Sequence, residues 1–154
     1  MIRIEKIRFP YLYIPILLVT LLIVSSCDPA DNRLKIINNS NSDIYYYYSC
    51  DSSLENLHIY RTGYYTNSLG DSTYVIGSLV KKNSFRKLIM RLGLKAWIHY
   101  VKDCPNHELN VYIFSDSTVM KYSDIEIKDK RLFKNHFIMS LKDLKQNDWT
   151  VRYP

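Results

Sequence analysis

Ile44-Tyr45-Tyr46-Tyr47-Tyr48-Ser49-Cys50 reads as a β-strand, and that reading decides the fold class. Aromatic residues suit a pleated, half-buried surface better than a helix. Alternation places Ile44, Tyr46, Tyr48 and Cys50 on one face, and Tyr45, Tyr47 and Ser49 on the other. Upstream, Leu34-Lys35-Ile36-Ile37-Asn38 reads as a first strand. Asn39-Ser40-Asn41-Ser42 between them is a turn, because short polar side chains bond local backbone. The pair is expected to form a β-hairpin.

Working outward, Asp51 to Leu57 is a polar connection and Leu57 to Arg61 a short strand candidate. Thr62 to Ser72 is loop-like, with Gly63, Asn67, Gly70 and Asp71. Thr73 to Gly77 reads as a strand and Lys81-Lys82-Asn83 as a turn. Ser84 to Leu92 fits two periods: Phe85, Leu88, Ile89 and Leu92 at helical spacing, or Phe85, Lys87 and Ile89 in alternation. Leu94, Trp97, Ile98 and Val101 predict a short amphipathic helix that stops before Pro105. Leu109 to Ser115 is the clearest strand. Ser123-Asp124-Ile125-Glu126 is a capping box opening a helical turn. Phe133 to Met139 is a strand, Ser140 starts a short helix, and Trp149 to Tyr153 closes the chain as a strand. The expectation is a mainly β (α+β) chain: an antiparallel β-sheet or sandwich with two or three short helices.

The start of the chain has a different character. Arg3, Lys6 and Arg8 precede an apolar run of eleven residues, Ile14 to Val24, and then Ser25, Ser26 and Cys27. A membrane-spanning helix needs about twenty apolar residues. The combination resembles a bacterial lipoprotein signal peptide with its lipobox. The resemblance implies that signal peptidase recognises Val24, Ser25 and Ser26 and cuts before Cys27. It also implies that Cys27 carries diacylglyceryl and a further acyl chain such as palmitate. Residues 1–26 are then the signal peptide, 27–33 the lipidated tether and 34–154 a single β-rich domain. The implied partner is the lipid bilayer, through acylated Cys27. The implied location is the cell envelope, on the outer membrane at its periplasmic or surface face. Asp28 resembles a surface-export signal in some bacteria and an inner-membrane retention signal in others, so membrane and leaflet both stay open.

The chain has a net charge of +6, and the leader's three basic residues and one acidic residue leave +4 for the rest. Lys and Asp are interspersed, which does not argue for nucleic acid. With Cys27 lipidated, Cys50 and Cys104 remain. They either form a disulfide or stay two separate thiols, since geometry decides. His107-Glu108 begins like a zinc-protease helix, but Val111 stands where the second His is needed. His58, His99, His107 and His136 have no metal-ligand spacing, and no nucleophile elbow or phosphate-binding glycine loop exists. The sequence assigns no catalytic residue, metal or cofactor. Outward Tyr45 and Tyr47 fit stacking on sugar rings or anchoring a protein partner, extended by Tyr60, Tyr64, Tyr65 and Tyr74. A strand packed on both faces is the competing explanation. Asp71-Ser72-Thr73 and Asp116-Ser117-Thr118 resemble an O-glycosylation tripeptide at Ser72 and Ser117, or are ordinary turn chemistry.

Cys27-Asp28-Pro29, Leu34 to Ser40 with Ile44-Tyr45, Val111-Tyr112-Ile113-Phe114 and Trp149 to Pro154 together carry a second resemblance. The chain resembles a family of small uncharacterised lipoproteins of Gram-negative gut anaerobes. The resemblance implies a β-rich fold and a strand at Ser84 to Leu92. It implies no activity.

The sequence therefore leads to a non-enzymatic envelope lipoprotein, an interaction or structural module with a protein or glycan partner. A glycan-directed hydrolase and a lipoprotein inhibitor or immunity protein are the alternatives. Cys27→Ala is expected to leave an unprocessed or unlipidated precursor by intact mass. A variant that still carries lipid contradicts the lipobox.

Overall fold

The computed structural model describes residues 29–66, 72–75 and 77–154. The leader, Cys27 and the residues Val24, Ser25 and Ser26 lie outside the described residues. The fold is mixed α+β, with antiparallel sheets and a few short helices. In chain order the strands are β1 (Lys35–Asn38), β2 (Ile44–Ser49), β3 (Gly63–Thr66), β4 (Ser72–Val75), β5 (Leu79–Val80) and β6 (Ser84–Lys87). Helix α1 (Ala96–Asp103) and a 3₁₀ turn at Pro105–His107 lead to β7 (Glu108–Ser115). Helices α2 (Asp116–Lys121) and α3 (Asp124–Asp129), strand β8 (Asn135–Ser140), helix α4 (Leu141–Gln146) and strand β9 (Thr150–Tyr153) complete the order. Among the described residues, no helix is long and apolar enough to cross a membrane.

The central sheet has the antiparallel order β5-β2-β7-β8, and a second sheet has the order β6-β1-β9. Tyr46 opposes Ile113 and Tyr48 opposes Val111. Strict alternation divides β2 and β7 between two cores. Ile44 and Tyr46 join Leu109, Val111 and Ile113 in the first core, which the second sheet, α1 and α4 cover with Ile36, Trp97, Leu144 and Val151. Tyr45 joins Tyr112 and Phe114 in the second core, which Val119 of α2, Ile127 of α3 and the loop residues Leu54 and Ile59 cover. Trp97 is fully buried, and its side chain contributes roughly 3 kcal/mol of burial before entropy is subtracted.

β1 and β2 do not form the expected hairpin. β1 pairs with β6 antiparallel and with β9 in parallel, while β2 pairs with β5 and β7. Asn38 explains the corner between the sheets. Its side chain is buried, and Nδ2 donates to the carbonyls of Ser42, Val80 and Lys81 at 2.8, 3.1 and 3.2 Å. Its Oδ1 accepts from Ser40 N–H at 3.0 Å. The turn is thus bound inward, and the chain crosses to the other sheet.

Other segments also depart from the expectation. Leu57 to Arg61 is extended but belongs to no strand, because Ile59 N–H donates to Asp124 Oδ2 at 3.1 Å instead of to a ladder. The expected loop from Thr62 contains β3, which pairs with β4 as a separate two-stranded sheet. Helix α2 occupies Asp116-Ser117-Thr118 and is capped by Ser115, whose Oγ accepts from Thr118 N–H. Four short α-helices are described where two or three were expected. Both anticipated caps form: Ser123 with Glu126, and Ser140 with Asp143, are complete capping boxes.

Asp31 lies in the expected tether, yet its side chain is buried. It forms a bridge to Met90, with N–H to O distances of 2.9 and 3.0 Å. Its Oδ2 accepts Trp97 N–H at 3.1 Å. Lys95 provides no side-chain cap for α1, so Asp31 caps it from 66 residues away. Arg33 holds the carboxylate at 2.7 Å and lies 5.0 Å over the Trp149 ring.

Asn38→Ala should cost about 2–3 kcal/mol in chemical denaturation, because it removes a buried side chain and the amide donor to the buried Val80 carbonyl. Asn41→Ala, at an exposed position, is the control. Equal stability of the two variants contradicts the role given to Asn38.

Candidate functional site

β5 covers β2 only at Ile44 and Tyr45. Beyond them, a groove of about 490 Å³ borders the β2 edge. Tyr46 N–H still donates to Ser78 O at 3.1 Å. Antiparallel ladders alternate the direction of their backbone groups, so the N–H and C=O of Tyr48 turn to this same edge. Tyr46, Tyr47 and Tyr48 line the groove with His58 and Tyr60 of the extended segment, and with Arg86 of β6.

That extended segment is fixed on two sides. A Cβ on Gly77 would stand 1.8 Å from the Tyr60 carbonyl oxygen, so only glycine permits the approach. Ser78 N–H donates to the same oxygen at 2.6 Å. Arg61 Nη2 lies 2.8 Å from Asp124 Oδ1, and its guanidinium also donates to the carbonyls of Val119 and Tyr122 at 3.2 and 3.1 Å. His58 Nδ1 lies 3.5 Å from Asp124 Oδ2. The exposed His58 and Tyr60 rings meet edge to face at 4.6 Å. On the β2 side, Tyr47 Oη donates to Asn56 O at 3.0 Å. Arg86 lies 5.9 Å over the Tyr46 ring and donates to Leu79 O at 3.1 Å.

Burial pushes the Tyr48 hydroxyl above its usual pKa, and the neighbouring Tyr60 and Tyr47 hydroxyls add to this. Burial also raises Tyr46, against the opposing effect of Arg86. These phenols are neutral at pH 7, so each offers a hydrogen-bond donor and a ring face. Among the described residues, no carboxylate lines the groove.

A second cavity, of about 450 Å³, lies by Tyr112, Phe133, His136, Lys128 and Arg131, with Glu55 as its one carboxylate. The His136 ring stacks on Tyr112 at 4.1 Å and 7°, and Nε2 lies 2.8 Å from Asn110 Oδ1. Two further recesses are lined by Asp43 with Asp116 and by Asp51 with Glu108. Asp43 and Asp51 are engaged there by the turn N–H groups of Lys82 and Ser53. A glycosidase acid needs a setting that raises its pKa. Glu126 and Asp143, held below the ordinary carboxylate range by hydrogen bonds from Ser123 and Ser140, sit in helix caps and line none of these recesses. Among the described residues, no three His, Cys, Asp or Glu gather as a metal site.

The sequence-derived candidates separate as follows. Tyr45 does not face outward: it is 1% exposed in the second core, because β2 is covered on both faces. Tyr47 does reach the groove, half-buried. Tyr64 and Tyr74 form an exposed pair at 5.1 Å on the β3–β4 hairpin. Cys50 and Cys104 are joined as a disulfide across 54 residues, tying the end of β2 to the end of α1. Ser72 and Ser117 are both exposed, the first opening β4 and the second in the first turn of α2. His99 is exposed. His58, Arg86 and Gly77 were not singled out for this site by the sequence. The aromatic neighbour Tyr60 is the local signal for His58, and nothing local marks the other two.

Comparison of the chain with family models, with curated proteins and with solved structures gives no match. The functional argument therefore rests on the site itself.

Burial holds the His136 pKa below its ordinary 6.5. As pH falls through about 6.5, the unfolded chain takes up this proton before the folded one. Stability associated with neutral His136 is thus present above that pH and is lost as pH falls through the lower folded value. Melting temperature should decline between pH 7.5 and 5.5 more steeply in the wild type than in His136→Gln. Parallel profiles contradict the assignment.

Proposed function

We propose that this chain is a membrane-anchored bacterial envelope lipoprotein whose aromatic groove binds glycan without catalysing a reaction. The observation that carries the reading is that the exposed Tyr60 and His58 rings stand over a groove lined by Tyr46, half-buried Tyr47 and half-buried Tyr48, with no carboxylate in its lining among the described residues. Aromatic rings offer flat apolar faces to the C–H face of a sugar ring, while their hydroxyls and the imidazole supply hydrogen bonds to its rim. Glycan hydrolysis most commonly uses two carboxylates across the bond to be cut, and among the described residues the groove lining holds none.

An extended peptide is the natural competitor for an open strand edge. The edge here is short. Ser78 already takes Tyr46 N–H, leaving mainly the backbone groups of Tyr48 for a new strand. Two ladder bonds are a weak basis for strand addition, whereas the exposed Tyr60 and His58 rings remain. The Cys50–Cys104 disulfide agrees with an oxidising, exported setting independently of the leader.

Tyr60 is 62% exposed, so its removal should leave the fold intact. In a titration of the full-length protein in detergent with cello-, xylo- and peptidoglycan-derived oligosaccharides, Tyr60→Ala should weaken binding about tenfold, equivalent to about 1.4 kcal/mol. Tyr60→Phe should retain most of the affinity. Equal binding by wild type and Tyr60→Ala, or binding of extended peptides alone, overturns the proposal.

A further inference from the structure

We propose that the surface around Ile89, Leu92 and Leu94, with the basic Arg91 and Lys95, rests on an anionic lipid bilayer. Ile89, Leu92 and Leu94 are 63%, 80% and 65% exposed, three large apolar side chains within six residues that the core does not use. Phe85, on the outward face of β6, is 59% exposed. Clustered exposed apolar side chains on a folded protein mark a contact surface.

Charge identifies the partner. From residue 72 to residue 102 the chain holds seven Lys or Arg and no Asp or Glu. Arg91 and Lys95 are both exposed among the apolar residues. A surface that mixes large apolar side chains with lysine and arginine suits the boundary of a membrane carrying negative headgroups.

The route of the chain brings this surface to the bilayer, a step that rests on the lipoprotein reading of Cys27. Asp31 is fastened to Met90 by two backbone hydrogen bonds, and Arg33 donates to Leu94 O. The chain therefore joins the fold between the exposed apolar residues. Cys27 precedes Asp31 by four residues, a reach of at most about 14 Å. Acyl chains on Cys27 hold the membrane within that distance of Met90. A second attachment beside the lipid fixes how the protein stands, and a single flexible anchor does not.

The test uses Leu92→Cys in the full chain, labelled with an environment-sensitive fluorophore. Cys50 and Cys104 are tied in the disulfide, and peptide mass confirms that the label sits at position 92 or 120 and not on an unacylated Cys27. Met120→Cys is the control, since Met120 is 60% exposed on α2, which packs on the second core. Both proteins are placed in phosphatidylethanolamine–phosphatidylglycerol vesicles containing nitroxide-labelled lipid, and acylation is read by intact mass. The expected result is quenching at position 92 severalfold greater than at 120, and reduced by Arg91→Glu with Lys95→Glu. An acylated protein with equal quenching at both positions overturns the inference and leaves the anchor standing. An unacylated chain still quenched selectively at 92 supports the surface while contradicting the lipoprotein reading. An unacylated, unquenched chain contradicts both.

Discussion

The rest of the structure follows from the fact that β2 and β7 are apolar on both faces. Six consecutive residues of β7, Leu109 to Phe114, are buried. A strand pair of this kind is stable only when both faces are covered, so two further layers are required. One layer is the β6-β1-β9 sheet with α1 and α4, and the other is α2, α3 and the loop that follows β2. Tyrosine makes such a strand workable. Its ring fills a core while its hydroxyl reaches a carbonyl at the margin, as Tyr112 Oη does to Ser52 O at 2.7 Å and Tyr47 Oη to Asn56 O at 3.0 Å.

The groove arises from a mismatch in that same pair. β5 is two residues long and β2 six, so β5 leaves most of the β2 edge uncovered. The chain places an extended segment there instead, held by the Gly77 approach to Tyr60 and by the Arg61–Asp124 contact. Those contacts act through backbone and a partly buried carboxylate, which leaves the Tyr60 and His58 rings exposed. The proposed binding surface and the fold's incomplete edge are therefore one feature.

Local sequence pattern identified the faces of β2, most of β7, the helix α1, the capping box at Ser123 and the helix start at Ser140, because each depends on neighbours within a few residues. Pairing was not legible. β1 lies in parallel beside β9, with Lys35 opposite Thr150, a partnership that no local pattern encodes. The hairpin reading failed at Asn38, whose role emerges only when Val80 and Lys81 arrive beside it. Asp31 looked like tether for the same reason, since its partners Met90 and Trp97 are distant in sequence. At the site, the tyrosine run signalled an aromatic surface, but it could not tell buried Tyr45 from groove-lining Tyr47. Both lie on the same face of β2, so the distinction depends on how far along the strand the second core closes: it buries Tyr45 and leaves Tyr47 half-buried.

The most direct test of the central claim, that the open β2 edge is a glycan-binding groove, is aromatic chemical-shift mapping by NMR during an oligosaccharide titration. The account predicts saturable shifts at Tyr47, Tyr48, His58 and Tyr60, with Tyr45 and the Tyr112–His136 stack unmoved. Shifts confined to the second cavity, or none in the groove at saturating sugar, would contradict it.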